Sequence, residues 1–371
     1  MIVLAFIVVF IGLIVISILF ILLYPGLGGR VSQADKDAYQ KRTDESFYLN
    51  RKFTNGDGFA VMTRKRGASN VRFSDKRRRP KDDLPVDMPQ FAVQQETGEL
   101  TYTWLGHSSF LIQMHGKNIL VDPILQKHSS PFSWIGPTRF SKVPLKVEEL
   151  PRIDLVIYSH DHFDHLDFHT LKKLKDKAGH FIVPLGVERH LISRGIDRKR
   201  ITVLSWWEKY ETDGLTVACT PTQHFSGRRL FDANDTLWSS VVLKDEHYQV
   251  YYSGDGGMND RFRKIHDRYG DFDLAIMECG QYSPSWAGVH MFPEEAVDAA
   301  DQLGAAYVTP VHWGAFVLSD HPWDDSAERF TREYEGKHEA TSHLLTPRIG
   351  ETITIRKDSV TETTRWWRDF N

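Results

Sequence analysis

At 371 residues, with 41% hydrophobic and 26% charged positions, the chain has the make-up of a globular protein of one large or two ordinary domains. A formal net charge of −3 offers no general attraction for nucleic acid, which is not expected as a partner. The two cysteines, Cys219 and Cys279, lie inside apolar runs, which excludes a disulfide framework and a CxxC zinc site, so any metal must be held by His and carboxylate.

In chain order, the first element is "IVLAFIVVFIGLIVISILFILL" (2–23), which carries no charge. At about 1.5 Å rise per residue it would span roughly 33 Å as a helix, enough to cross a bilayer. It lacks the basic start and small-residue cleavage site of a signal peptide. The expectation is an uncleaved transmembrane anchor over residues 1–24. Arg30, Lys36, Lys41 and Arg42 follow it and no Lys or Arg precedes it, which places the remaining bulk on the cytoplasmic side. Residues 25–95 read as a polar, basic linker. Its dense stretch at 64–81 suits a solvated linker and also anionic lipid headgroups.

From residue 96 onward short apolar runs alternate with turns. Strands are expected around 101–106, 108–114, 117–123, 153–160, 180–184, 215–221, 239–244, 248–255, 272–280, 305–313 and 352–357. A helix is expected at 292–304, with Pro293 in its first turn, Glu294 and Glu295 at its positive end and Gly304 as its stop. Many strands with interspersed helices imply an α/β sandwich over 96–371.

Polar residues follow the apolar strands in a regular way. "LVIY" leads to Ser159-His160, "VACTPTQ" to His224, "VYYSG" to Asp255 and "VTPV" to His312. Strand ends are rigid, and a site built there is held by the backbone. The densest stretch is "SHDHFDH" (159–165). In an extended loop His160, His162 and Asp164 share one side, while Asp161 and Phe163 face elsewhere. His165 can turn back if a helix begins after it. His160 and His162 could then share one metal, with Asp164 and His165 serving a second. Asp255 could bridge the two.

This H-x-H-x-D-H pattern, followed in order by His224, Asp255 and His312, resembles the metallo-β-lactamase superfamily of binuclear hydrolases. "TWLGHSSFLIQ", "LPRIDLVIYSHDHFDHLD", "TPTQHFSGRRLFDANDTLWSS", "VHMFPEEAV" and "VHWGAF" are similar to its N-acylphosphatidylethanolamine-hydrolysing phospholipase D branch. The resemblance implies a four-layer αβ/βα sandwich. It implies His160, His162 and His224 on a first metal, Asp164, His165 and His312 on a second, and Asp255 bridging. The ions expected from His and carboxylate ligands are two Zn²⁺, with iron or manganese as alternatives.

The implied reaction is cleavage of a phospholipid phosphodiester to phosphatidic acid and an N-acylethanolamine. Asp164 would orient the attacking water, and His290 would hold the phosphate or protonate the leaving oxygen. A lactonase or small-molecule phosphoesterase is the alternative on the same fold, and a non-catalytic metal-binding scaffold the third reading. His107 in "LGHSS" is either a partner behind the ligands or a turn residue, and stays outside the ligand set. The tail "RWWRDF" (365–370) either dips into the membrane interface or packs on the domain. The expected partners are a phospholipid, the membrane and a second copy of the chain in a homodimer.

Overall fold

The computed structural model describes residues 2–43, 46–56, 75–92, 98–132, 134–339 and 343–370, without the side chains of 2–5, 17, 19 and 21–23. The elements in order are α1 (Ile2–Leu23), α2 (Gln33–Arg42), β1 (Tyr48–Leu49), β2 (Lys52–Phe53), β3 (Leu100–Trp104), β4 (Phe110–Met114), β5 (Lys117–Val121) and β6 (Ile153–Ile157). There follow α3 (Phe168–Leu174), β7 (Ala178–Pro184), α4 (Glu188–Ser193), β8 (Ile201–Leu204), β9 (Lys209–Thr212), β10 (Leu215–Thr220), β11 (Ser240–Lys244) and β12 (Gln249–Tyr252). The last are α5 (Arg261–Tyr269), β13 (Phe272–Glu278), α6 (Pro293–Gln302), β14 (Ala305–Val311), α7 (Asp325–Lys337) and β15 (Thr352–Ile355).

Two sheets form the frame. One has seven strands in the order β15-β3-β4-β5-β6-β7-β8, the other six in the order β14-β13-β12-β11-β10-β9. Strands β5 to β8 are parallel neighbours, as are β12, β13 and β14. The antiparallel pairs β10–β11 and β11–β12 turn β10 back into the direction of β12. Alternation along the six-stranded sheet separates its faces. Val217, Val241, Val250, Tyr252, Leu274 and Ile276 join the core shared with Leu111, Leu120 and Val156 of the other sheet. Ala218, Val242, Tyr251, Ala275 and Met277 instead pack on Phe262, Val297 and Phe330 of α5, α6 and α7. Helices α3 and α4 add Leu171, Leu174 and Leu191 to the shared core. The result is an α/β sandwich.

All eleven strands expected from periodicity are present. The short β1, β2, β8 and β9 were not expected, because runs of two to four residues such as "KYET" carry too little apolar pattern. The expected helix at 292–304 is α6, whose Phe292 N–H donates to Glu295 Oε2 at 2.9 Å.

At the periphery the linker departs from expectation, and one of the two readings of the tail is decided. Residues 25–95 are more than a linker: Tyr39, Phe47, Tyr48 and Phe53 are buried in the main core, and the Ser32–Asp35 capping box starts α2. Residues 64–74 of the basic stretch lie outside the described residues. In the described part, exposed Arg77 pairs with Asp75 at 2.7 Å, and buried Arg78 donates to Ser319 O. The aromatic tail packs inward, with Trp366 and Trp367 buried and their rings 5.5 and 5.6 Å from that of Trp313. Helix α1 is 22 residues long and apolar, but among the described residues no helix is long and apolar enough to cross a membrane, so the expected transmembrane helix is not supported.

Two outcomes follow. Trp367→Ala removes a fully buried indole and should lower the unfolding free energy by about 3–5 kcal/mol in chemical denaturation. Burial pushes the Cys219 thiol up to about 12 and the Cys279 thiol well above its ordinary value. Neither should react with a thiol reagent at pH 8 in the folded protein, and both should react once it is unfolded.

Candidate metal centre

Strand direction brings the polar residues together. Strands β10, β12, β13 and β14 point their C-terminal ends to one edge, and His224, Asp255, Glu278 and His312 stand at or just beyond those ends. From the facing sheet, β5 delivers Asp122 and β6 delivers His160. Sites of α/β folds commonly lie at the carboxyl ends of strands.

The "SHDHFDH" stretch is extended only as far as His162. The N–H groups of His165 and Leu166 donate to His162 O at 3.1 and 2.8 Å, so a tight turn swings His165 back. The helix α3 begins beyond that turn, at Phe168, capped by Asp167. The turn rather than the helix therefore positions His165.

Two clusters result. In the first, His160 Nε2 and His224 Nε2 lie 2.9 and 3.2 Å from His162 Nδ1, with Asp255 Oδ2 3.8 Å from His160 Nε2 and 3.7 Å from His224 Nε2. In the second, His165 Nε2 is 3.6 Å from Asp164 Oδ2 and 3.1 Å from Asp255 Oδ2, and His312 Nε2 is 3.9 Å from Asp164 Oδ2. Asp255 thus stands between the clusters. Every side chain expected as a ligand falls in one of them.

Atoms behind the clusters orient the rings. His224 Nδ1 lies 3.0 Å from Val289 O, so that nitrogen carries the proton and Nε2 is left with its lone pair. His165 Nδ1 is 2.8 Å from Asp122 Oδ2, which also accepts from Tyr252 Oη at 2.6 Å and Ser159 Oγ at 2.5 Å. Ser108 Oγ lies 2.9 Å from His312 Nδ1. His107 is buried, with Nε2 2.9 Å from Asp164 Oδ2, so of its two sequence readings the partner behind a ligand is the one observed. His107 and His312 both adopt left-handed backbone, at φ 56° and 70°, and are tied by His312 N–H donating to His107 O. Beneath them, a Cβ at position 280 would come 1.7 Å from His312 O, so only glycine fits.

Asp161 faces away from the metals, as expected, but it is no idle residue. It is buried and accepts from Gly227 N–H at 2.9 Å and Thr236 Oγ1 at 2.8 Å, tying down the loop after His224. Asp122 and Glu278 escaped the sequence reading. Both carry the signal that marked the others, an acidic residue where an apolar strand ends ("ILVDP", "AIMECG").

Electrostatics match a cation site. Burial, reinforced by neighbouring imidazoles, holds His160, His224 and His312 well below the ordinary histidine range, and burial holds His162 below it. Burial raises Asp164 and Asp255, but the imidazoles led by His165 outweigh it and hold both well below the carboxylate range. Burial lowers His165, yet Asp255, Asp164 and Asp122 together raise it well above its usual value. Neutral imidazoles and ionised carboxylates are the ligand forms, and the directions at His160, His162, His224, His312, Asp164 and Asp255 favour them, whereas at His165 the surrounding carboxylates favour the imidazolium. His165 Nε2 and Asp255 Oδ1 are buried without a hydrogen-bond partner, as expected of atoms whose partner is an ion.

His290 joins Asp255 and His312 in a third grouping. Its Nδ1 is 3.5 Å from the buried Glu278 Oε1, which also accepts from Met291 N–H at 2.9 Å. Burial lowers His290, but Glu278 outweighs this and raises it. The clusters open into a cleft of about 480 Å³ whose apolar wall is Phe225, Trp286, Val289 and Leu318.

The span that carries these residues is similar to known proteins. Residues 117–313 match the model of the beta-lactamase superfamily domain, a span that holds all seven candidate ligands. An uncharacterized protein of Mycobacterium tuberculosis is 37% identical over 295 residues, covering 78% of this chain and 77% of that protein. N-acyl-phosphatidylethanolamine-hydrolyzing phospholipase D 1 of Caenorhabditis elegans is 35% identical over 228 residues, or 58% of this chain and 64% of that enzyme. Among solved structures, Igni18, a metallo hydrolase of Ignicoccus hospitalis, superposes with a TM-score of 0.54 at 21% identity, covering 70% of this chain and 99% of that one.

Asp122→Asn keeps the shape behind His165 but removes the charge that fixes its proton on Nδ1. It should weaken metal binding about 10–100-fold in a competition titration with a chelator.

Proposed function

This chain belongs to the beta-lactamase superfamily and is a metal-dependent hydrolase, and from that premise we propose that it cleaves a phosphodiester of membrane phospholipids in the manner of a phospholipase D. The observation that carries the reading is an apolar cleft opening directly on the paired His and Asp clusters, which suits a substrate with a charged phosphate and acyl chains. The similarity to phospholipases D supports it, although the chain spans under two thirds of the worm enzyme.

His160, His162, His224 and Asp255 would hold one ion, and Asp164, His165, His312 and Asp255 the other. Zinc suits this donor set. When bound, a pair of such ions lowers the pKa of water toward neutrality and neutralises charge on a phosphoryl oxygen. The residues supply the rest. Asp164, held by His107, would orient the attacking water. His290, its proton favoured by Glu278, faces the same cleft and would hold the phosphate or give its proton to the departing oxygen. Phe225, Trp286, Val289 and Leu318 would line the acyl portion and keep bulk water out.

The reading includes attachment to the membrane through α1, with the hydrolase domain on the cytoplasmic side. The exposure of the described apolar side chains of α1 supports it. So do the loops that grip the helix end. Tyr24 stacks on Phe132 at 4.7 Å and Arg229 donates to Gly28 O. These loops expose Trp134 (74%), Ile135 (52%), Leu230 (70%) and Phe231 (76%). Apolar tips around an apolar helix suit a bilayer surface.

Three measurements test the proposal. Purified protein should carry close to two metal ions by elemental analysis. Asp255→Asn should reduce turnover on the order of 10³-fold or more with the fold intact by circular dichroism, the loss of several kcal/mol of transition-state stabilisation. Incubation with a mixed lipid panel should yield phosphatidic acid by mass spectrometry, and hydrolysed lactone without phosphatidic acid would replace the phospholipase reading. For attachment, the chain should stay with carbonate-washed membranes and resist protease added to intact cells. Digestion from outside would overturn the orientation.

A further inference from the structure

The segment between α1 and the hydrolase domain reaches the metal centre. After α2 and the β1–β2 hairpin, the chain runs along the loop that carries His224. Phe53 N–H donates to Asn234 O at 2.9 Å, and Lys52 Nζ donates to Ala233 O at 2.8 Å. Lys36 and Lys52 both pair with Asp235. Two residues on, the Asn55 side chain meets His224 itself. Its Nδ2 donates to His224 O at 2.7 Å, while its Oδ1 accepts from His224 N–H at 3.1 Å and from Trp238 Nε1 at 3.2 Å. The amide orientation follows from this set: flipped, it would set its NH₂ against two N–H donors and its oxygen against a carbonyl.

One side chain thus satisfies both backbone polar groups of a fully buried residue. With Val289 O holding Nδ1, His224 is restrained at its N–H, its C=O and its ring. Asn55 is in turn seated by Arg261, which donates to Asn55 O, and Phe47 nearby packs on Trp206 at 4.5 Å. His162 and His160 come from one short turn and restrain each other, whereas His224 arrives on a separate, long loop. Its register in the first cluster therefore depends on what braces that loop from outside.

We propose that Asn55 is a positioning residue for the His160–His162–His224 cluster, and that residues 33–43 and 46–56 form a brace between the N-terminal helix and that cluster. The proposal rests on the reading of these residues as metal ligands. Removing the amide leaves the buried His224 backbone groups unpaired, so the loop shifts to satisfy them and takes the imidazole with it. The ion held by the other cluster, whose ligands Asn55 does not touch, keeps its hold.

The test is zinc release from the full chain in phospholipid nanodiscs, loaded with two equivalents and mixed with excess chromogenic chelator. His224→Ala identifies which release phase belongs to the first cluster. In Asn55→Ala that phase should accelerate about 10–100-fold while the other stays at the wild-type rate. Asn55→Asp keeps the acceptor for His224 N–H and Trp238 but sets an acceptor oxygen against His224 O, and should accelerate the same phase. Both phases at wild-type rate in folded Asn55→Ala would overturn the proposal. If that variant does not fold, an unchanged rate in Asn55→Asp overturns it equally. A wild-type chain that retains no zinc after loading would instead overturn the ligand reading beneath it, and the proposal with it.

Discussion

Asp164 and Asp255 are two ionised carboxylates buried among imidazoles, and the surroundings are organised around keeping them so. A buried charge is costly unless paired and hydrogen-bonded. Here the pairing falls to His107 and His165, and the donor set around them is one that suits cations. That requirement explains the polar groups behind the ligands. Asp122 fixes the proton of His165, Val289 O fixes that of His224, and Ser108 approaches His312. A ring free to rotate would lose its lone pair to the wrong direction, and the ligand set would fail as a set.

The scaffold meets the requirement through strand direction. Four strands of one sheet and two of the other end at the same edge, so side chains more than 150 positions apart in the chain, from His160 to His312, arrive within reach of one carboxylate. The tryptophans behind His312 make that end rigid. Trp104 and Trp313 stack at 5.2 Å, and Trp366 and Trp367 close over them from the C-terminus. The same logic holds nearer the N-terminus, where Tyr39, Phe47, Tyr48 and Phe53 pack into the core and Asn55 meets His224. Neither end of the chain is an appendage to the metal centre.

Much of this was legible beforehand. Alternating apolar residues located the long strands, and the regular appearance of His or Asp after them marked His160, His224, Asp255 and His312. Asp122 and Glu278 bear the same mark, but a single carboxylate after a strand carries no metal-ligand spacing of its own. His107 could not be assigned from "LGHSS", since only its contact with Asp164, 57 positions away, distinguishes a ligand's partner from a turn residue. Asn55 gave no signal at all. An asparagine in a polar stretch reads as loop, and its role exists only through a backbone 169 residues distant.

The sequence by itself determined the donor inventory and its local spacing: which residues can bind a metal, and that they stand where buried strands emerge. It determined the α/β character too, because hydrophobic periodicity is a local property of each strand and helix. Only the tertiary structure decided that a tight turn, rather than a helix, turns His165 inward, that Asp255 lies between two clusters, and that the N-terminal segment braces His224. Those outcomes depend on the relative placement of distant strands and loops. That placement is set by packing and by satisfaction of buried polar groups across the whole fold, and no local pattern encodes it.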